Sequence, residues 1–263
     1  MGTMSDPVDR LFNLRGSVAV VTGGGTGIGR AIALGLAEAG ASVAVWGRRY
    51  DPLATTVQEI RQRGGRALPV SMDVTDRDSV EQAFQETANS FGEEANILVN
   101  SAGTHVKVPA LEMREQDWQR VFDVNVKGTF LACQNFARRF QNKRPGSIVN
   151  IASLSTFVAF PETAAYAASK AAIGQLTRSL ASEWARAGIR VNAVAPGFFL
   201  TDLNKPILEG TERGAQAIAR TPMGRLGELD ELVAPVIYLC SPGASFVTGV
   251  IIPVDGGLLA TGF

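Results

Sequence analysis

The chain is poor in the residues that build metal, redox and disulfide sites. Its 263 residues include two cysteines and one histidine. Cys133 and Cys240 show no metal-binding or redox spacing, so we expect both to be small buried residues in a reducing compartment. With His105 as its single histidine and no cluster of cysteines or carboxylates, the sequence predicts no metal site.

The chain also lacks an excess of charge of either sign and has no long apolar run. The 25 basic and 25 acidic residues balance, which leaves no electrostatic footprint for a nucleic-acid or acidic-membrane partner. No apolar run approaches the roughly 20 residues of a membrane span, and the N-terminus has no signal-peptide core. Met1-Gly2-Thr3 begins like a myristoylation site, but Asp6 stands where Ser or Thr is needed. We therefore expect a cytoplasmic protein, with Met4 as an alternative start.

Glycine is plentiful, at 28 residues, and it clusters after the first apolar run, Val18–Val21. That run is typical of a buried parallel strand, and the segment after the glycines is helical up to Gly40. A glycine-rich loop between a strand and a helix lets phosphates approach the helix N-terminus. A plain glycine-rich turn is the alternative, but this context favours dinucleotide binding, with contacts from Gly23, Gly27, Ile28 and Gly29.

The second apolar run ends in Gly47-Arg48-Arg49. In a dinucleotide-binding fold, an acidic residue at this strand end accepts a hydrogen bond from the adenosine ribose 2′-hydroxyl. Here Gly47 occupies that position and two guanidinium groups follow, which suits a 2′-phosphate. Arg48 and Arg49 therefore favour NADP, with NAD possible; the alternative is that both are solvated turn residues. Asp51 is expected to cap the next helix, with Pro52 in its first turn.

Apolar runs and helical segments alternate along the chain, without a repeat or a second domain. This alternation predicts an α/β fold with a doubly wound, seven-stranded parallel sheet of the Rossmann type, in a single domain spanning residues 1–263. Pro69 indicates that the third strand lies at a sheet edge, and Thr75 with Asp78 is expected to cap the following helix. Ligands of such sheets bind outside the carboxyl ends of the strands, where the sequence places Asp73, Val74, Asn100, Ala102, Gly103, Ser153, Pro196 and Gly197.

Tyr166 and Lys170 form a candidate catalytic pair. They are four residues apart in an Ala-rich helical segment, so their side chains share one face a turn apart. An ammonium about 4 Å from a phenol is worth roughly 1 to 4 kcal/mol, which predicts a lowered phenol pKa and acid/base chemistry near pH 7. Ser153 follows the apolar run Ser147–Ile151, where a strand end would hold its hydroxyl against a substrate oxygen. The same Tyr-to-Lys spacing is common on helices without a catalytic role, so its weight comes from the other strand-end residues.

A long helix is expected to begin near Glu115 and to carry Asn125 close to its apolar face. A buried carboxamide must be hydrogen-bonded, so Asn125 is either a structural tie or the holder of a water behind the Lys170 ammonium. Residues 198–225 lack strand periodicity. A segment of this length is either a disordered insert or a lid, and its aromatic residues favour a substrate lid at about 197–225.

Taken together, these residues resemble the short-chain dehydrogenase/reductase family, in its short single-domain branch, over essentially the whole chain. Ser101 is a departure, because the family usually has a second Asn there, and Arg114 stands near the usual Ser or Thr cap of the helix before Asn125. The matching motifs are Thr22-Gly23-x-x-x-Gly27-x-Gly29, Asn100-Ser-Ala-Gly103, Asn125, Ser153, Tyr166-x-x-x-Lys170 and Pro196-Gly197-x-x-x-Thr201.

The resemblance implies a catalytic tetrad of Asn125, Ser153, Tyr166 and Lys170. Tyr166 would be the acid/base, and Ser153 would hold the reacting oxygen. Lys170 would bind the nicotinamide ribose hydroxyls and lower the Tyr166 pKa, while Asn125 would tie a proton-relay water to Lys170. Thr201 would contact the nicotinamide carboxamide or the diphosphate.

Within the family, residues 196–205 and 221–225 look most like gluconate 5-dehydrogenase and related sugar-acid dehydrogenases. The resemblance therefore implies hydride transfer between NADP(H) and a secondary alcohol/ketone, with a small-molecule sugar acid or polyol such as gluconate/5-ketogluconate as substrate. His105 and Lys107 are candidates for meeting a substrate carboxylate, or else solvated loop residues. The alternatives are a 3-oxoacyl thioester reductase, whose acyl chain the lid would cover, and a non-catalytic cofactor-binding regulator. Many members are homotetramers, and the small residues of the Tyr166 helix are compatible with a homotetramer or homodimer.

Overall fold

The computed structural model describes residues 6–141, 143–201 and 204–261. Its strands are β1 Val18–Thr22, β2 Ser42–Gly47, β3 Ala67–Ser71, β4 Ile97–Asn100, β5 Gly146–Ile151, β6 Ile189–Pro196 and β7 Ile251–Val254. All seven pair in parallel, in the order β3-β2-β1-β4-β5-β6-β7. The predicted seven-stranded parallel sheet is confirmed, and Pro69 lies in the edge strand β3, where its missing N–H costs no ladder bond.

The helices cover both faces of this sheet, because strand side chains alternate between two apolar clusters. On one face Ile32, Leu53 and Val236 pack against Val21 and Val45. On the other face a second cluster packs Phe84, Phe136 and Leu180 against the alternate strand positions. The helices are α1 Pro7–Phe12, α2 Gly27–Glu38, α3 Tyr50–Gln62, α4 Arg77–Phe91, α5 Glu115–Phe122, α6 Thr129–Arg139, α7 Ala164–Trp184, α8 Lys205–Leu208, α9 Glu212–Arg220 and α10 Val233–Cys240.

Two helix starts differ from the prediction. α3 begins at Tyr50 without a side-chain cap, so Asp51 lies inside its first turn instead of capping it. α4 is capped by Asp76, whose carboxylate accepts a hydrogen bond from the backbone N–H of Asp78. Thr75 is not the cap, since its hydroxyl is engaged in the preceding loop.

The long helix predicted from Glu115 is also interrupted. A π-helical turn, Asp123–Gly128, joins α5 to α6. A π turn inserts an extra residue into the helical repeat, and such turns are frequent at functional sites. Here the turn directs Asn125 inward, where 1% of its surface is exposed.

Residues 198–225 contain the helices α8 and α9 instead of irregular chain only. The α9 face that carries Gly214 and Ala217 is buried, and this helix packs against α8. The action of the segment as a lid stays a prediction.

Within the described ranges, no helix combines the length and the apolar character that a membrane crossing needs. The same ranges hold no group of three or more His, Cys, Asp or Glu side chains placed to bind a metal. Cys133 and Cys240 are buried and unpaired as thiols, and burial raises the pKa of each to about 12.

Candidate active site

The glycine loop lies between the carboxyl end of β1 and the first turn of α2. Gly23 and Gly27 have φ angles of +67° and +53°, the left-handed region in which a Cβ is unfavourable. A Cβ on Gly29 would stand 2.3 Å from the carbonyl oxygen of Gly23, so only glycine allows this approach. The first turn of α2, which includes Ile28, has no acidic residue and no side-chain cap, so its N–H groups are free to bind phosphate.

The end of β4 is tied to this loop through backbone groups. The Oγ1 atom of Thr22 accepts hydrogen bonds from the N–H groups of Ser101 and Ala102, both at 3.1 Å. A Cβ on Gly23 would meet Ala102 at 2.9 Å, which shows how closely the two strand ends approach. Because Ser101 contributes its backbone N–H, the departure from the usual Asn leaves this contact intact.

Asn100 behaves differently from its neighbours in the turn, because its side chain enters the core. It is 4% exposed, and its Nδ2 atom donates to Oδ1 of Asn150 at 2.9 Å. Gly103 instead faces the cluster around Lys170: a Cβ there would lie 3.5 Å from Oδ1 of Asn125 and 3.9 Å from Nζ of Lys170. Asn100 thus supports the end of β4, whereas Gly103, which has no side chain, leaves space beside Asn125 and Lys170.

Arg48 and Arg49 stand exposed after β2, at the carboxyl edge of the sheet. Among the described residues neither guanidinium is ion-paired, so both are available to an added anion. The hydroxyl of Ser71, at the end of β3, donates to the carbonyl oxygen of Arg48 at 3.2 Å. The following loop is ordered by Asp73, whose Oδ1 atom accepts from the N–H and the hydroxyl of Thr75 at 2.9 Å each.

Two further predicted contacts close the cleft. Val74 is buried against Gly128 of the π turn. A Cβ added to Gly128 would lie 2.8 Å from a Val74 methyl group. Beyond β6, which ends at Pro196, the N–H of Gly197 donates to Val254 at 2.8 Å. The chain then brings Thr201 above the glycine loop, with its methyl group 3.5 Å from the position of a Cβ on Gly27.

Ser153, Tyr166 and Lys170 converge where β5 and α7 meet. Ser153 follows β5 in extended conformation, and its Oγ atom accepts from the N–H of Ser155 at 3.1 Å. The Ser153 hydroxyl lies close enough to the Tyr166 phenol to lower its pKa by hydrogen bonding. Lys170 lies one turn after Tyr166, with its Nζ atom 5.7 Å from the centre of the phenol ring and 2.6 Å from the carbonyl oxygen of Ile151, to which it donates.

The acidity of Tyr166 runs opposite to the prediction. Burial raises the pKa of this phenol above its ordinary value, and the hydrogen bond with Ser153 opposes the rise without cancelling it. Lys170 fails to reverse the direction because its ammonium sits over the ring and donates to the backbone instead of facing the hydroxyl. At neutral pH Tyr166 is therefore a protonated phenol, ready to donate.

Burial also shifts Lys170 toward its neutral form. It is 7% exposed, and desolvation of the ammonium lowers its pKa from 10.5 to about 8. The side chain remains charged at pH 7, held by the Ile151 carbonyl group at the end of β5.

Asn125 uses its whole carboxamide to tie neighbouring segments together. Its Oδ1 atom accepts from the N–H of Thr104 at 2.8 Å, and its Nδ2 atom donates to the Thr104 carbonyl oxygen and to the Ser169 hydroxyl, both at 2.9 Å. Ser169 in turn donates to the carbonyl oxygen of Tyr166 at 2.7 Å. The side-chain contacts match the structural alternative for Asn125, and they hold the loop after β4 against the Tyr166 turn.

A cavity of about 800 Å³ opens beside the Ser153 and Tyr166 hydroxyl groups. One wall is apolar, with Phe160 and Phe198 in edge contact at 5.9 Å. The other wall is α9, the helix in the segment predicted as a lid. Such a volume admits a small metabolite.

The loop after β4 brings His105 and Lys107 to this region. The His105 ring meets Tyr166 edge-on, with 6.1 Å between ring centres. Burial lowers the pKa of His105, and the nearby charge of Arg213 lowers it further, so the imidazole is neutral at pH 7. Lys107 lines the cavity but is paired with Glu162, at 2.9 Å between Nζ and Oε2.

Fold and site together define a dinucleotide-dependent oxidoreductase in which a Ser–Tyr–Lys cluster adjoins a glycine-rich phosphate loop. The chain belongs to the short-chain dehydrogenase/reductase family. Residues 23–259 match the family model described as "Enoyl-(Acyl carrier protein) reductase", a description that names a different activity from those of the relatives below.

Three relatives illustrate the similarity. The chain is 40% identical to 2-dehydro-3-deoxy-D-gluconate 5-dehydrogenase of Pseudoalteromonas atlantica, over 94% of this chain and 97% of the relative. It is 42% identical to galactitol 2-dehydrogenase (L-tagatose-forming) of Cereibacter sphaeroides, over 94% and 96%. Among solved structures, a gluconate 5-dehydrogenase from Burkholderia cenocepacia in complex with NADP and tartrate superposes with a TM-score of 0.92 at 36% identity, covering 97% of this chain and 100% of that one.

Sequence reasoning missed the contacts of several residues that shape the site. Thr22 and Ser169 act through hydroxyl groups that bond to backbone or side-chain neighbours. Their positions next to Gly23 and Lys170 were a usable signal. Arg213 lies in a segment without strand periodicity, where nothing in the sequence alone placed it against the cavity.

Proposed function

We propose that the protein catalyses reversible hydride transfer between NADP(H) and a secondary alcohol/ketone, with a sugar acid or polyol such as gluconate/5-ketogluconate as substrate. The observation that carries this proposal is the position of the Ser153 and Tyr166 hydroxyl groups. Both face a cavity of about 800 Å³, with the glycine loop at the same edge of the sheet.

In the reductive direction, bound NADPH would supply the hydride that the substrate carbonyl carbon accepts. Tyr166 gives its phenolic proton to the carbonyl oxygen, so the ketone gains one hydride and one proton and becomes an alcohol. The raised pKa of Tyr166 keeps that proton in place at neutral pH until the oxygen becomes basic. Ser153 donates a hydrogen bond to the same oxygen and stabilises its developing charge.

Lys170 and Asn125 support the cofactor site and Tyr166. The Lys170 ammonium is charged at pH 7, and it is placed to hold ribose hydroxyl groups of the cofactor. Asn125 positions Tyr166 through Ser169 and the loop after β4 through Thr104. A relay water between Asn125 and Lys170 remains part of the proposal.

NADP is the proposed cofactor. The residues fit it in two respects: the glycine loop leaves space and free N–H groups for the diphosphate, and Arg48 and Arg49 offer unpaired guanidinium groups at the strand end that meets the adenosine ribose. The Burkholderia cenocepacia relative was solved with NADP, which supports the same choice.

A 3-oxoacyl thioester reductase is the second candidate, since the apolar wall with Phe160 and Phe198 suits an acyl chain. The dehydrogenase names of the relatives favour the sugar acid or polyol. A homotetramer or homodimer in the cytoplasm completes the proposal, supported by the small residues on α7 and by the two free thiols.

The test is Tyr166→Phe, assayed at 340 nm with gluconate, 5-ketogluconate, other ketoses and acetoacetyl thioesters, each with both cofactors. We expect turnover to fall about 100-fold or more, with NADPH binding retained. Tyr238→Phe, at a half-buried tyrosine that packs on Phe12 away from the cavity, is the matched control. Activity near wild type in Tyr166→Phe would contradict the acid/base role, and cofactor binding without turnover of any substrate by the wild type would favour a regulator.

A further inference from the structure

The cavity has an uneven distribution of charge. Three basic and two acidic side chains line it, and one pair cancels: Lys107 is bonded to Glu162. Glu162 also accepts from the N–H of Val108 at 3.1 Å through its carbonyl oxygen, so the contact joins two walls of the cavity. Its φ of +65° is a strained backbone conformation for a residue with a Cβ, which these contacts hold in place. Lys107 is therefore already paired within the protein and is not available to a substrate carboxylate.

The uncommitted positive charge lies on α9. Arg213, Ala217 and Arg220 are spaced three to four residues apart, so they share one face of the helix, on which Ala217 is buried. Glu212, the acidic neighbour in the chain, points about 100° away, and its Oε1 atom accepts from Nε2 of Gln216. Within the described residues, neither arginine has a carboxylate partner.

Of the two arginines, Arg213 is the one whose charge acts on His105, the ring that meets Tyr166 edge-on. Arg220 follows seven residues later, roughly 10 Å along the helix axis. An arginine presents parallel N–H donors that match a carboxylate, whereas the neutral His105 offers at most one hydrogen bond.

We propose that Arg213 binds the carboxylate of the substrate and thereby makes the protein selective for hydroxy acids over uncharged polyols. The inference rests on the proposed function, because it assigns the substrate class of that same cavity. It moves carboxylate recognition from the loop residues His105 and Lys107 to α9.

The first experiment measures tartrate binding to the NADP-loaded protein by calorimetry, which needs no turnover. Tartrate is a hydroxy acid found with a similar protein. We expect Arg213→Gln to bind tartrate about 10- to 100-fold more weakly and Arg213→Lys to fall in between. Arg220→Gln removes the same charge from the same helix face and is expected to weaken binding less than about threefold. Equal losses in the two glutamine variants, or a wild type that binds no tartrate, would overturn the proposal.

The second experiment compares gluconate with galactitol as substrates. We expect Arg213→Gln to raise the KM for gluconate about tenfold or more and to change the KM for galactitol little, with kcat affected less than KM. A parallel rise for both substrates would indicate damage to the cavity and refute a carboxylate role. A wild type that oxidises neither substrate but shows the tartrate difference would count against the proposed function while leaving Arg213 as an anion-binding residue.

Discussion

Replacing Lys170 by methionine is expected to make the cofactor-free protein more stable while removing its activity. Burial lowers the pKa of the Lys170 ammonium from 10.5 to about 8. That difference of about 2.5, at roughly 1.36 kcal/mol for each unit of pKa, corresponds to about 3 kcal/mol spent on keeping the charge buried. Methionine fills a similar volume without a charge. It also leaves the Ile151 carbonyl group without its donor, a loss of about 1–2 kcal/mol.

The expected net gain in the free energy of unfolding is therefore about 1–2 kcal/mol at pH 7. Below pH 8 the lysine is protonated in both the folded and the unfolded protein, so the cost of burial is fully present. Between pH 8 and 10.5 the folded wild type releases the proton while the unfolded chain keeps it, and the wild type gains stability as the pH rises. The advantage of Lys170→Met should shrink over that window and be lost above it.

Thermal unfolding of both proteins without cofactor, at pH 7 and at pH 10, measures this difference. A gain of 1 kcal/mol raises Tm by roughly 2–4 °C in a domain of this size. Lys127→Met, at an exposed lysine, is the matched control and should change stability by less than about 0.5 kcal/mol. If Lys170→Met melts below the wild type by the same amount at both pH values, the buried ammonium is held favourably and the reasoning is wrong.

Two further predictions concern the cofactor and the π turn. Arg48→Asp should shift the kcat/KM preference from NADP toward NAD by about tenfold or more, because it replaces a phosphate-binding cation with an anion; an unchanged ratio would show that the 2′-phosphate is held elsewhere. Asn125→Ala should lower the free energy of unfolding by about 1–3 kcal/mol as well as the activity, because Thr104 and Ser169 lose their buried partner. Lost activity without any loss of stability would favour the water-relay alternative over the structural tie.

The parallel sheet was accessible from the sequence because its strands are buried on both faces. Such strands are short continuous apolar runs, and the runs Val18–Val21 and Ser147–Ile151 lie within β1 and β5. The glycine loop was accessible for a related reason, since a positive φ at Gly23 and the contact of Gly29 with the Gly23 carbonyl group both require glycine. In both cases the residue types themselves impose the local structure.

The parts that were missed depend on contacts between distant segments. The π turn at Asp123–Gly128 shifts a hydrogen-bonding pattern without changing the helix-forming residues. The shifted pattern places Asn125 so that it bonds with Thr104, a residue of the loop after β4. The helix α9 was also missed, although its sequence is amphipathic: Gly214 and Ala217 are buried, while the charged residues of the helix stay exposed.

The direction of the Tyr166 pKa shift could not be predicted from the sequence either, in this case for an electrostatic reason. The spacing of Tyr166 and Lys170 correctly indicated that the ammonium lies near the ring, 5.7 Å from its centre. Spacing alone cannot tell where the proton-bearing nitrogen points, and it points to the Ile151 carbonyl group. Nor does spacing report burial, which opposes both charges: it raises the pKa of the phenol and lowers that of the lysine. Both groups are costly to charge, so we expect a bound cofactor that brings polar partners to Lys170 to favour the charged form of each.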